Sequence, residues 1–257
     1  MSNTMPQSQA LAGQVVVIPG GTGGIGYACA QRLSGLGASI VLLERSNLSR
    51  AKDMAAQLAG QGHGAIQAAI DDSASLSEAA REVERRWGRS DILVNSAGMT
   101  KPVPHKDLDA LDDALIDQIF AVNWRGQFAA IRAFAPLLRA NKQGLVVNIS
   151  SIAATTGIGS NVAYCAAKAG LDIMAVALGR ALAPEIRIIN VSPGVVDTTF
   201  VPGRDQAWNE KQAATTPLKR IGTTQDIAAA VEACATTLHF ATGTVIQIDG
   251  GRHLGAV

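Results

Sequence analysis

Residues 148–168, NISSIAATTGIGSNVAYCAAK, hold the side chains best suited to moving a proton. Tyr164 and Lys168 stand four apart, so on a helix they share one face. A phenol ordinarily loses its proton near pH ~10, too high for a useful base at neutral pH. An ammonium group one turn away favours the phenolate and draws that value down. Such a tyrosine can give a proton to a carbonyl oxygen or take one from a hydroxyl. Ser151, just past a predicted strand, can hold the same oxygen in line with the phenol. By chemistry alone a Tyr/Lys pair is equally a helix-surface contact, so the pair needs a setting.

A second constellation supplies one. Residues 19–26 read PGGTGGIG, directly after the apolar run QVVVIP and at the start of a helical pattern. Glycine allows a tight turn and close approach of a diphosphate, and a helix N-terminus offers that anion unpaired N–H groups. Two registers coexist: Gly21, Gly23 and Gly26 fit the GxGxxG spacing, and Gly20, Gly24 and Gly26 fit a wider one. Thr22 and Ile25 complete the expected loop. Glu44 closes the second apolar run, where an acid can bind both hydroxyls of an adenosine ribose and repel a 2′-phosphate. Arg45 beside it would welcome that phosphate. No basic residue in the glycine loop reinforces Arg45, so the expected cofactor is NAD rather than NADP.

The elements that must position these groups alternate along the chain. Strands are predicted at about 14–19, 39–44, 65–70, 92–95, 145–149, 187–191 and 244–248. Helices are predicted at 24–36, 47–60, 75–87, 108–140 (as one or two), 162–182 and 224–238. Strand runs without polar alternation, separated by helices, imply an α/β fold. It is a doubly wound parallel sheet of about seven strands in a Rossmann-like three-layer sandwich. One domain is expected over 13–257, with 1–12 as a flexible N-terminal tail. The irregular stretch 196–216 is expected to form a lid over the site.

Composition narrows the class of partner. The net charge is +1 with no basic stripe, which argues against nucleic acid and anionic membrane surfaces. The apolar stretch 163–178 is interrupted by Lys168 and Asp172, so no membrane span is expected. Cys29, Cys165 and Cys234 are too far apart and odd in number for a disulfide framework, which points to a cytoplasmic setting. His63, His105, His239 and His253 lack metal-ligand spacing, so no metal is expected.

Taken in order along the chain, these motifs resemble the short-chain dehydrogenase/reductase family. The family's Thr-Gly-x-x-x-Gly-x-Gly is matched at Gly20, Gly24 and Gly26, and its Tyr-x-x-x-Lys at Tyr164 and Lys168, with Ser151 as the partner serine. Its Asn-Asn-Ala-Gly turn is here Asn95-Ser96-Ala97-Gly98. The resemblance implies that Asn123 serves a proton relay through water, that Lys168 holds the nicotinamide ribose and that Asp71 contacts adenine. It likewise implies cofactor contacts at Asn95, Ala97, Gly98, Pro193, Gly194, Val196 and Thr198. Two residues depart from the pattern: Pro19 replaces a threonine and Ser96 the second asparagine, both in supporting positions.

The implied activity is hydride transfer between NAD and a secondary alcohol or ketone, in the direction of oxidising a polyol, sugar or hydroxy acid. Substrate contacts are expected from Ser151, Tyr164, Asn161, Val195 and Arg204, with Trp208 in the lid. An NADPH-dependent ketone or 3-oxoacyl reductase is the alternative within the fold. A non-catalytic nucleotide-binding sensor is the alternative of another class, though such offshoots usually lose the tyrosine or lysine. The family also implies a homo-oligomer, a dimer or tetramer. Its expected contacts are the apolar faces of 108–140 and 162–182, with the last strand added in a tetramer.

Overall fold

The computed structural model describes residues 9–203 and 205–255. Seven strands occupy the apolar runs: β1 (Val15–Pro19), β2 (Ser39–Glu44), β3 (Gly64–Gln67), β4 (Ile92–Asn95), β5 (Gly144–Ile149), β6 (Ile186–Pro193) and β7 (Thr244–Ile248). They form one parallel sheet in the order β3-β2-β1-β4-β5-β6-β7. Helices α1 (Gly24–Ser34), α2 (Leu48–Ala56) and α3 (Ser73–Trp87) serve the first half of the sheet. The second half carries α4 (Asp113–Phe120), α5 (Gly126–Ala140), α6 (Ala153–Thr156), α7 (Val162–Ala181), α8 (Gln206–Thr215) and α9 (Thr224–Thr236).

Helices on both faces explain why the strands read as unbroken apolar runs. Successive strand residues point to opposite faces. In β1, Val16 and Ile18 enter the core cluster beneath α1 and α9, whereas Val15 and Val17 enter the one beneath α3 and α5. Either face is dry, so neither set can be polar. Chain order reverses between β1 and β4, and a crevice opens there beyond the carboxyl ends of the strands. Glu44 closes β2, and the glycine loop, Ser96 to Gly98, Ser151 and Gly194 follow the ends of β1, β4, β5 and β6.

β3 stops at Gln67 and α2 at Ala56, short of the expected 70 and 60, and three further regions differ more. The 108–140 pattern divides: 108–112 is not helical, and a π-helical turn at Ala121–Arg125 joins α4 to α5. The 196–216 stretch contains α8, whose start is capped by Asp205 accepting from the Trp208 N–H at 2.7 Å. None of its residues is buried, so it leaves no amphipathic signal. The expected tail is too long at its inner end, because Leu11 is buried and its N–H donates to the Leu36 carbonyl at 2.9 Å. Residues 1–8 of that tail lie outside the described residues. Helix α7 is as long and apolar as a membrane-crossing helix. It packs on β6, however, and supplies Leu171 and Ala175 to the core.

Candidate active site

The start of α7 sets the reacting pair. Asn161 accepts from the Tyr164 N–H at 2.7 Å and so fixes where the helix begins. Tyr164 then falls on the first turn and Lys168 on the second. Lys168 is buried; its Nζ donates to the Ile149 carbonyl at 2.6 Å and stands 5.7 Å from the centre of the Tyr164 ring. Burial pushes its ammonium down to about 8, while the Asp172 carboxylate one turn further pulls the other way. The lysine therefore stays charged at neutral pH and loses its charge in mildly alkaline solution. Ser151 follows β5, with its Oγ accepting from the Ala153 N–H at 3.2 Å. Tyr164, Ser151 and Lys168 all line one cleft of about 1340 Å³.

The other end of that cleft is shaped for a dinucleotide. Gly20 has a left-handed φ of 72°, and a Cβ there would lie 2.7 Å from the Ala97 backbone. A Cβ on Gly26 would run into the Gly20 carbonyl, and one on Gly24 would sit 3.2 Å from the Thr198 methyl. A Cβ on Gly21 would likewise lie 2.8 Å from the Ile18 carbonyl and one on Gly23 3.3 Å from the Gly20 carbonyl, so packing constrains the glycines of both registers. Helix α1 has no side-chain cap at Gly23, whereas α2, α3, α4, α7, α8 and α9 each have one. Gly24 and Ile25, in its first turn, line the cleft together with Thr22, so the uncapped end of the helix stands at the wall.

Glu44 accepts from the Thr22 hydroxyl and from the Ser46 N–H at 3.1 Å. Partial burial opposes its ionisation. The hydrogen bonds from Thr22 and the backbone outweigh that and hold the carboxyl below its ordinary range. Arg45 reaches Asp71 instead, Nη1 to Oδ2 at 3.2 Å. The other Asp71 oxygen, Oδ1, is buried with no hydrogen-bond partner among the described residues, and Asp71 is not on the cleft wall, so the expected adenine contact finds no open acceptor there. Ala97, Gly98, Pro193, Gly194, Val195, Val196 and Thr198 also line the cleft. The residues present fit a nicotinamide dinucleotide.

Five expectations need correction, that of Asp71 being the first. Asn161 does not reach the substrate end: its Oδ1 caps α7 and its Nδ2 donates to the Lys101 carbonyl at 2.8 Å. Asn95 is not on the cleft wall, because its side chain turns into the sheet and donates to Asn148 Oδ1 at 2.9 Å. Gly26 is likewise a packing position rather than part of the wall. Asn123, in the π-helical turn, donates to the Met99 and Ile119 carbonyls at 2.8 and 3.0 Å and accepts from the Met99 N–H. Its side chain is fully committed, so any part in proton passage goes through Met99 or its own main chain. Arg204 lies outside the described residues.

The Asn95 bond is the first rung of a ladder. Asn148 donates in turn to Asn190 at 2.8 Å, and Asn190 donates to Asp172 at 2.8 Å. These three asparagines occupy matching registers on β4, β5 and β6. The ladder ends on the carboxylate that acts on Lys168. Each of the three strands spells two apolar residues and then Asn (LVN, VVN, IIN) near its carboxyl end, a signal present in the sequence. Sequence reasoning also missed Arg252, Phe200 and His105 in the cleft wall.

A doubly wound sheet, an uncapped glycine-rich helix start at its switch point and a Tyr/Lys pair across the cleft define a nicotinamide-dinucleotide oxidoreductase. Comparisons with known proteins agree. Residues 20–253 match the family model described as enoyl-(acyl carrier protein) reductase. The 3-oxoacyl-(acyl-carrier-protein) reductase of Aquifex aeolicus is 30% identical over 247 residues, covering 94% of this chain and 98% of that protein. The D-threitol dehydrogenase of Mycolicibacterium smegmatis is 33% identical, covering 93% of this chain and 90% of that protein. A dehydrogenase/reductase crystal structure from Sinorhizobium meliloti superposes with a TM-score of 0.86 at 33% identity, covering 95% of this chain and 97% of that one. The chain belongs to the short-chain dehydrogenase/reductase family. It is an oxidoreductase acting on a CH–OH group or ketone of a small molecule.

Proposed function

We propose that this protein is an NAD-dependent dehydrogenase of a secondary alcohol, drawn from the polyols, sugars and hydroxy acids. The observation that carries the reading is the Tyr164–Lys168 pair, with the buried Nζ 5.7 Å from the ring and both groups on the cleft wall. Tyr164 takes the hydroxyl proton, and Ser151 holds the same oxygen. Lys168, still cationic at neutral pH, favours the Tyr164 phenolate that accepts this proton and becomes the neutral phenol. NAD, held by the glycine loop and Glu44, supplies the hydride acceptor. In reduction the same residues work in reverse, with the Tyr164 proton delivered to the carbonyl oxygen.

The choice of NAD rests on charge placement. Glu44 is anionic and stands beside Thr22, while the Arg45 guanidinium is engaged by Asp71. An NADPH-linked ketone or 3-oxoacyl reductase is the second reading. It draws on the exposure of Arg45 and on the similarity to the Aquifex 3-oxoacyl reductase. Michaelis constants for NAD and NADP, measured against a panel of secondary alcohols, decide between them. A KM for NADP below that for NAD overturns the first reading. No hydride transfer with either cofactor overturns both.

The protein is expected to work as a cytoplasmic homo-oligomer. Trp124 and Phe128 stack at 6.4 Å on the α4–α5 face, and Trp124 lies across Gly170 of α7. Ile173 and Val176 continue that apolar face and are exposed in the single chain. The edge strand β7 is also only partly buried. Sedimentation of the purified protein checks this: a dimer or tetramer is expected, and a monomer at assay concentrations contradicts it.

A further inference from the structure

Among the described residues, four with permanent or near-permanent charge line the cleft: Glu44, Arg45, Lys168 and Arg252. Three of them have an account. Glu44 meets Thr22, Arg45 meets Asp71, and Lys168 sits beside Tyr164. Arg252 does not belong to the dinucleotide end. It lies in the short 3-10 turn Arg252–Leu254 that follows β7, on the far side of β6 from the glycine loop. The β6 and β7 ends are in contact there, since a Cβ on Gly194 would lie 2.8 Å from Asp249 Cβ.

Its surroundings are unusual for a guanidinium. Nη1 donates to the Gln212 carbonyl at 3.1 Å, to Thr216 Oγ1 at 3.2 Å and to Thr215 Oγ1 at 3.3 Å; Nη2 donates to Gln212 Oε1. Every acceptor is a neutral oxygen from the end of α8. Among the described residues no carboxylate lies within salt-bridge distance of it, and the nearby Asp249 is taken by His253 at 2.8 Å. A positive charge partly exposed to a cleft, with no counter-charge of its own, raises the affinity of that cleft for an anion. Guanidinium binds carboxylate and phosphate oxygens in the same forked geometry.

We propose that Arg252 is a substrate-binding residue, and that the alcohol or ketone handled at Tyr164 carries an oxyanion group, a carboxylate or a phosphate, which this guanidinium receives. The inference rests on the dehydrogenase reading and narrows its substrate class to acids. It also ties substrate to lid, because the group that receives the anion is the one that holds α8.

The test is binding without turnover. Enzyme saturated with oxidised dinucleotide is titrated calorimetrically with levulinate and its two next longer homologues, and with the methyl ester of each. Dihydroxyacetone phosphate against dihydroxyacetone forms the phosphate arm. At least one acid is expected to bind about tenfold or more tightly than its neutral partner, and the arm that does so identifies the anion. Arg252→Gln is expected to bring that ratio to within about twofold, and Arg252→Lys to keep part of it. Equal binding of every acid and its neutral partner overturns the proposal. So does a preference that survives Arg252→Gln. A uniform loss for acids and esters alike in that variant overturns it too, assigning Arg252 to holding the lid and nothing more. Failure of the dehydrogenase reading shows separately, as absence of hydride transfer from any alcohol, because the same titrations run on enzyme without dinucleotide.

Discussion

Replacing Lys168 with methionine separates the chemistry of this residue from its effect on stability. The lysine ionises near its ordinary 10.5 when the chain is unfolded, and at about 8 when folded, chiefly because burial disfavours the charge. A lowered lysine pKa means that the unfolded chain binds more protons between those two values. Stability therefore rises with pH across that window. Each tenfold change in proton affinity corresponds to roughly 1.4 kcal/mol. Between about pH 7 and about pH 10 the wild-type protein should gain about 2 to 3 kcal/mol that the Lys168→Met variant does not. At neutral pH the variant sheds the desolvation penalty but leaves the Ile149 carbonyl without its 2.6 Å donor, a loss of about 1–3 kcal/mol. The two proteins should accordingly lie close together at pH ~7, with the wild type pulling ahead as pH rises. Urea unfolding of both, without cofactor, at several pH values measures the difference. A gap that stays constant from neutral to alkaline pH, or one that moves in favour of the variant, refutes the assignment of a buried and reluctantly charged ammonium. Turnover by the variant should be lost at every pH.

Two further outcomes follow from the same geometry. Glu44→Ala removes the acid expected to bind the adenosine ribose; affinity for NAD should fall about 10- to 100-fold with little change for NADP, read by fluorescence titration of each reduced dinucleotide. Asn148→Ala breaks two rungs of the buried ladder and takes the Asn148 partner from Asn95 Nδ2 and from Asn190 Oδ1, at a cost of about 2–4 kcal/mol in urea unfolding. A cost below about 0.5 kcal/mol would mean that the ladder carries no stability.

Much of the fold was legible because a sheet covered on both faces writes itself as unbroken apolar runs between turn signals. Glycine spacing and the Tyr/Lys pair were legible for a related reason: each works through neighbours in sequence, a strand-to-helix turn in one case and one helical turn in the other. What was misread has more than one physical cause. Asn161 looked like a polar pocket residue, yet an asparagine just before a helix is as readily its cap, and the cap prevailed. Helix α8 was invisible because nothing on it is buried, so it lacks the apolar stripe that periodicity detects. Arg252 gave no signal at all. Its place in the cleft arises from β7 lying beside β6 and from the end of α8 meeting the turn after β7, relations that no spacing within the chain encodes. The asparagine ladder is the intermediate case, repeated on three strands yet meaningful only once those strands are known to be neighbours in register.

Tyr164 moves the proton, on this mechanism, while the rest of the cleft holds the cofactor. The direct measurement is Tyr164→Phe, assayed both for NADH formation with the best alcohol substrate and for dinucleotide affinity. Turnover is expected to drop by about 100-fold or more, with affinity for the dinucleotide within about threefold of wild type. Turnover that survives the loss of the hydroxyl would contradict the mechanism.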